Sequence, residues 1–326
     1  MIVENGDLRD LPSMTNVLYN ILLQNGILDT SSLATTDIRL LIKLDIHYEL
    51  AEKVISEACD WLDQNEVGFI FGEALVKTYK ENVRLTSGCQ SLDEILGGGF
   101  STKKIYEFYG PEKVGKTILI HQLLCRAMLP TTQGGLRSPV VYFDTEGNFS
   151  LKRIRAIAPR FGLDPEIVLE NIARMRIGDS DELLIGLSKH LFDIMERIDA
   201  KIILVDSIIS NVRAEYIGEA NLSTRQGLLG KYLNALKRAT QQFDAIAIIT
   251  NQITWYPSRD NNSRTYSHCG GNILGHGAQV RVEMKFMDYN SSYREFILEK
   301  AVDLEQNSCI LKIRNDGFHD NDKEVI

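Results

Sequence analysis

The stretch "YGPEKVGKTI", Tyr109 to Ile118, places four residues between Gly110 and the run Gly115-Lys116-Thr117. That spacing suits a loop whose backbone amides point inward to cradle phosphate oxygens at the start of a helix. Gly110, Pro111, Glu112, Lys113, Val114, Gly115, Lys116, Thr117 and Ile118 are therefore the candidate nucleotide contacts. Lys116 is placed to neutralise β- and γ-phosphates, and Thr117 to give its hydroxyl to Mg²⁺. A glycine-rich turn without a ligand is the alternative. The apolar strand before the loop and the helix expected from about residue 116 favour the phosphate.

A triphosphate site also needs an acid at a neighbouring strand end. "KIILVDS" supplies Asp206, and "PVVYFDTE" supplies Glu146, which could accept a proton from an attacking water. Gln252, at the end of "AIAIITNQ", offers an amide able to sense the terminal phosphate. Lys116, Glu146 and Gln252 are the candidate catalytic groups, with Thr117 and Asp206 on the metal and a nucleoside triphosphate as the ligand. For each acid, an idle strand-end charge is the alternative reading.

These positions require strands ending together. Candidate strands are "KKIYEFY", "PVVYFDTE", "KIILVDS", "AIAIITNQ", "QVRVEMKFM" and "REFILEKA", whose continuous apolar character suits burial on both faces. Leu183, Leu187, Leu191, Ile194 and Ile198 form one stripe of an amphipathic helix between two of them. The alternation predicts an α/β core with a mostly parallel twisted sheet over residues 85–326. Residues 1–64 read as a small all-helical domain, because Leu44, Leu50, Val54, Ile55, Ala58 and Leu62 recur at helical spacing. Residues 65–84 read as a linker.

Charge is unevenly placed. The chain carries −8 overall, while residues 1–64 hold 11 acidic and 4 basic side chains, a net −7. The remainder holds 33 acidic and 32 basic side chains, so contact with nucleic acid must come from local patches. The cysteines, Cys59, Cys89, Cys125, Cys269 and Cys309, form no C-x-x-C pair and read as reduced intracellular thiols. No apolar run approaches the roughly 18 residues of a membrane span, and "MIVENGDLRD" has no apolar signal core. An intracellular, unsecreted protein is expected, in the nucleoid or the nucleus according to the cell type.

In order, "GPEKVGKT", "VVYFDTEGNF", "IILVDSI", "EYIGEANLSTRQ", "TNQ" and "GGNILGHGAQVR" resemble the RadA recombinases, the archaeal and eukaryotic branch of the RecA superfamily. The resemblance is strong over residues 85–320 and weaker, though in register, over the N-terminal module. It implies a RecA-like P-loop ATPase core that forms a helical filament or ring and binds single- and double-stranded DNA. Asp206 falls at the Walker B position, and Arg153 where the family stacks an arginine on adenine. Two DNA-gripping loops match residues 213–226 and 253–271, giving Arg213, Arg225, Arg259, Arg264, Gly270 and Gly271 as DNA contacts. The second interleaves Trp255, Tyr256 and Tyr266 with its arginines, a composition suited to base stacking and phosphate pairing. "GFIFGEA" resembles the polymerisation motif, with Phe69 and Phe71 both candidates for the next subunit's pocket.

The chain also departs from the family. The helical module lacks the glycines of the family's DNA-binding hairpins, reading "LPSMTNVL" and "LDIHYELA". Glu219 stands where the first loop usually has arginine, which weakens DNA contact there. Lys300-Ala301-Val302 replaces the usual Asp-small-Pro of the ATP cap, so the Lys300 ammonium is expected to stand in for a potassium ion at the γ-phosphate. "TTQGGLRSP" resembles an insert of eukaryotic paralogues, so an accessory protein with a partner recombinase or mediator is the alternative to a true recombinase. A module of net −7 without close-approach glycines repels duplex phosphates. Residues 1–64 alone should show no duplex binding at moderate salt; micromolar affinity in a binding titration would refute this.

Overall fold

The computed structural model describes residues 6–64, 83–257, 264–288 and 292–321. The chain separates into two compact units, Met1–Glu81 and Asn82–Ile326.

In the first unit, helices Asn16–Gln24, Thr30–Ala34, Ile38–Lys43 and Tyr48–Gln64 enclose a core of Leu18, Leu22, Leu33, Leu41, Val54 and Ala58. Short polar side chains start the first three, Thr15, Asp29 and Asp37 each accepting an early backbone N–H. In the turn "LPSMT", Ser13 donates its amide (2.9 Å) and hydroxyl (2.6 Å) to the Glu57 carboxylate. Donors that could have met a phosphate are thus taken by the unit's own acid.

The second unit is built on strands β1 (Arg84–Leu85), β2 (Phe100–Ser101), β3 (Lys104–Gly110), β4 (Val140–Asp144), β5 (Ile172–Arg176) and β6 (Ile202–Asp206). These are followed by β7 (Ile246–Pro257), β8 (Arg264–His268), β9 (Val280–Phe286), β10 (Tyr293–Lys300), β11 (Asn307–Arg314) and β12 (Gly317–Asp320). The main sheet runs β12-β11-β10-β9-β3-β7-β6-β4-β5, and β8 pairs with β7 off that path. From β9 to β5 every pairing is parallel, so their carboxyl ends share one edge. The strands from β9 to β12 form an antiparallel meander.

Helices cover both faces of the parallel part, which is why apolar side chains alternate into two cores along β3, β4, β6 and β7. Tyr106, Phe108, Tyr142, Leu204 and Ile248 face one core, while Ile105, Val141, Phe143, Val205 and Ile249 face the other. The RecA-like α/β architecture expected from sequence is present. The details differ in places. Strand β10 is half-buried with strict alternation rather than buried on both faces. Arg84, assigned to the linker by sequence, pairs with Ser101. The stripe Leu183-Leu187-Leu191 continues through buried Met195, with Ile194 and Ile198 partly buried, because a π-turn at Gly186–His190 shifts the helix phase. The β5, β11 and β12 segments were not among the expected strands. They are edge or meander strands with half-buried or exposed positions, so they lack the long apolar runs of the buried ones.

Behind the phosphate-loop helix Lys116–Ala127, Arg126 donates to the Gln133 carbonyl (2.8 Å) and the Thr86 carbonyl (3.1 Å), while Thr86 N–H meets the Gly134 carbonyl (2.8 Å). The glycine-rich insert is therefore a packed turn. Asp93 accepts Ser87 N–H at 2.6 Å there, and burial pushes its carboxyl up to about 6, against the downward pull of Ser87 and Arg126. The folded carboxyl keeps its proton up to about pH 6, whereas the unfolded one loses it near 3.8. Stability consequently falls as pH rises through that window, by about 3 kcal/mol at most. Asp93→Asn should remove this slope, and denaturant titrations at about pH 5 and pH 8 should favour the variant increasingly at the higher pH.

Candidate nucleotide and DNA-loop site

The edge shared by β3, β7, β6 and β4 gathers the residues singled out from sequence. Gly110 pairs with Gln252, and Asp144 with Asp206, so the phosphate loop, Gln252, Asp206 and Glu146 leave neighbouring strands together. Gly110 lies so close to β9 that a Cβ would stand 2.3 Å from the Met284 carbonyl oxygen. Gly115 enters the helix at φ +115, where a Cβ would stand 2.7 Å from Phe318. Neither position tolerates a side chain, which is the physical reason for glycine at both ends of the loop.

Lys116 folds its ammonium onto the Gly110 (2.9 Å) and Pro111 (2.8 Å) carbonyls. Burial pulls its pKa down, opposed by the nearby Asp206 and Glu146 carboxylates. Thr117 donates its hydroxyl to Asp206 at 2.7 Å, and Thr250 donates to the other oxygen. Burial raises the Asp206 pKa, against the two hydroxyl donors, with Glu146 adding to the rise. Glu146 accepts from Ser207 Oγ (2.8 Å) and Gln252 Nε2 (3.0 Å) on Oε1, and from Asn148 (3.0 Å) on Oε2.

Residues not singled out from sequence hold this edge. Buried Asp144 takes Gly147 N–H (2.7 Å) and Asn148 N–H (3.1 Å) on one oxygen and Arg174 on the other (2.6 Å), shaping the segment that carries Glu146. His121 accepts Ser150 N–H at 3.0 Å on Nε2, which places its proton on Nδ1, facing the Thr117 carbonyl at 2.6 Å. The imidazole ties the phosphate-loop helix to the helix Leu151–Ile157 that carries Arg153, and burial lowers its pKa. Arg153 itself donates to the Asn315 carbonyl at 2.8 Å, in the β11–β12 turn.

A second buried polar group underlies the two segments expected from sequence to meet DNA. Glu107, fully buried in β3, accepts from Arg281 (2.6 Å) and Asn251 (2.6 Å). Asn251 also donates to the Cys269 carbonyl (2.8 Å) and accepts Gln252 N–H (2.7 Å). A signal for this existed in the sequence: Glu107 interrupts the run Ile105–Tyr109, and Arg281, of opposite charge, stands between Val280 and Val282.

The segments expected to be loops are largely ordered. Residues 213–226 fall into helix Ser210–Glu215, the short turn Glu219–Asn221 and the start of helix Leu222–Gln242. In the second, β7 continues past Gln252 and pairs with β8 in a ribbon from Ile253↔His268 to Pro257↔Arg264, as alternating β-branched and aromatic residues favour. Arg225 reaches the Gly218 carbonyl (3.4 Å) and Gln226 the Gly270 carbonyl (3.1 Å), linking both segments to one helix. Gly270 (φ +90) and Gly271 (φ +55) open the helix Gly271–Gly277. Arg264 begins β8, while Arg259, Phe69 and Phe71 lie outside the described residues. Lys300 donates to the carbonyls of Gly275 (2.9 Å), His276 (3.3 Å) and Ala278 (2.8 Å), closing the carboxyl end of that helix.

The sequence profile of the Rad51 family matches residues 78–321. The chain belongs to the Rad51 family. It is 32% identical over 314 residues to the DNA repair and recombination protein RadA of Metallosphaera sedula, covering 96% of this chain and 95% of the relative. It is 34% identical over 301 residues to the protein of the same description from Ignicoccus hospitalis, covering 90% of this chain and 89% of that relative. This Rad51-family chain has five free thiols, and among its described residues no helix is long and apolar enough to cross a membrane.

The Glu107–Asn251–Arg281 group is the interior support of the edge. Asn251→Ala would leave a buried carboxylate and the Gln252 amide short of partners, a cost of roughly 2–4 kcal/mol. Chemical denaturation should show a loss of that size, and Asn251→Asp, which sets a second carboxylate against Glu107, should lose more at neutral pH than at low pH.

Proposed function

We propose that this chain is an ATP-dependent recombinase that assembles on single-stranded DNA and promotes homologous pairing and strand exchange in recombinational repair. The observation that carries the proposal is the convergence of Lys116, Thr117, Asp206, Glu146 and Gln252 at adjacent strand ends, directly beside the two segments that match the family's DNA loops.

The chemistry follows from those positions. Lys116 leaves its two carbonyls for the β- and γ-phosphates. Glu146 takes a proton from water as the new O–P bond forms at the γ-phosphorus and the β–γ bridging P–O bond breaks, its electron pair leaving with ADP. Gln252 senses the γ-phosphate, and Arg153 stacks on adenine. The Thr117 hydroxyl and Asp206 carboxylate, 2.7 Å apart, form an oxygen pair suited to Mg²⁺, and no cluster of three or more acidic, His or Cys ligands exists among the described residues. That fits an ion which takes one or two protein oxygens and the phosphates, and which supplies charge neutralisation there. Arg213, Arg225, Arg259 and Arg264, with Gly270 and Gly271, are the DNA contacts. Phe69 or Phe71 joins one subunit to the next. Lys300, through the carboxyl end of helix Gly271–Gly277, replaces a cation at the cap.

A second reading, an accessory member that binds ATP and a partner recombinase without exchanging strands, draws on Glu219 in the first loop and on Glu57, which occupies the Ser13 donors. Strand exchange between a labelled single strand and a homologous duplex, with ATP and Mg²⁺, separates the two. Exchange by wild type and none by Lys116→Ala is expected, with Glu146→Gln binding ATP but hydrolysing it roughly 10²–10⁴-fold more slowly. Wild type that binds ATP without exchanging strands would establish the accessory role.

A further inference from the structure

The side chain of Gln252 has a partner at each end. Its Nε2 donates to Glu146 Oε1 at 3.0 Å, and its Oε1 accepts from Arg213 Nη1 at 3.3 Å. Glu146 Oε1 also accepts from Ser207 Oγ at 2.8 Å, and Oε2 from Asn148 at 3.0 Å. A carboxylate offers about four lone-pair positions. Three are taken, both on Oε1 among them. A base so occupied is poorly placed to receive a proton from water.

We infer that Arg213 is a positioning residue for hydrolysis: it orients the Gln252 amide against Glu146, and its capture by a phosphodiester of single-stranded DNA releases the base. The inference rests on the reading of the chain as a DNA-stimulated ATPase and adds the route of the stimulation.

The surroundings favour this direction of control. Arg213 is exposed and sits on helix Ser210–Glu215, seven positions after Asp206 and six after Ser207, so one short segment carries the metal-side acid, a holder of the base and the outward arginine. Its other neighbour is the Cys269 sulfur at 3.7 Å, a weak acceptor. Neither the amide oxygen nor the thiol competes with a phosphate, because the arginine–phosphate pair is charge-assisted and bidentate. Gln252 N–H stays on Asn251 at 2.7 Å and its carbonyl on Cys269 N–H at 2.9 Å, so its backbone is held while the side chain is free to turn. Once the amide turns away, Oε1 regains a lone pair for the water proton, and the amide becomes available to the γ-phosphate.

The test compares ATP hydrolysis by full-length wild type, Arg213→Ala and Arg213→Lys, without DNA and with saturating oligothymidylate. Arg213→Ala should hydrolyse ATP roughly three- to tenfold faster than wild type without DNA, the effect of one hydrogen bond on a rate, and its stimulation ratio should fall towards unity. Arg213→Lys keeps the charge for phosphate but not the planar fork, so it should raise the DNA-free rate while retaining DNA affinity. A DNA-free rate in Arg213→Ala equal to or below wild type, with only DNA affinity reduced, overturns the inference and leaves the recombinase reading intact if wild type exchanges strands. Wild-type hydrolysis that does not respond to DNA overturns both.

Discussion

Parallel pairing of β3, β7, β6 and β4 is the constraint on which the site depends, since it brings four carboxyl ends to a single edge. The phosphate loop leaves β3, and the acid beside it leaves β6, two strands away. The intervening β7 places Gln252 between them. An antiparallel or reordered sheet with the same residues would scatter them by a strand length. Helices on both faces hold the order by burying the apolar side chains of these strands on two sides, so shifting one strand by one residue would exchange its two packing faces.

Polar groups at the edge are satisfied by one another. Asp144 is saturated by two backbone amides and Arg174, Thr145 exchanges hydrogen bonds with Ser207, and Asp206 takes two threonine hydroxyls. In a low-dielectric interior such bonds are strong when complete and costly when one partner is lost. The edge is therefore stiff in its backbone. The groups left with alternatives are side chains: Lys116 on two loop carbonyls, Gln252 between an acid and an arginine. Function on this scaffold requires side chains to change partners, not strands to move.

Beneath the segments at 213–226 and around β8, Glu107, Asn251 and Arg281 join the strand that carries the phosphate loop to the end of the ribbon at Cys269, and Lys300 fastens the far end of the following helix to β10. The ribbon and its helix thus have fixed roots. Helix Leu222–Gln242 adds a third attachment through Arg225 and Gln226, whose partners lie one in each segment. The strand-end edge and the two segments therefore share supports.

Spacing and type alone determined the glycine-flanked loop after β3, the parallel strands β3, β4, β6 and β7 and the family, because these depend on local periodicity and on a recognisable order of motifs. Glycines at 110 and 115 are of this kind, since neither site has room for a Cβ. Only the tertiary structure decided which side chains meet. Glu107 and Arg281 are 174 positions apart, and His121 reaches Ser150 across a helix boundary. The ribbon of 253–257 with 264–268 reads as a loop in sequence because its polar and aromatic composition resembles mobile surface, and each strand's partner lies within the same segment. That Gln252 links Glu146 to Arg213 has no trace in sequence order. It follows from three strand and helix ends brought to one edge, where hydrogen-bond distance, not separation along the chain, selects the partner.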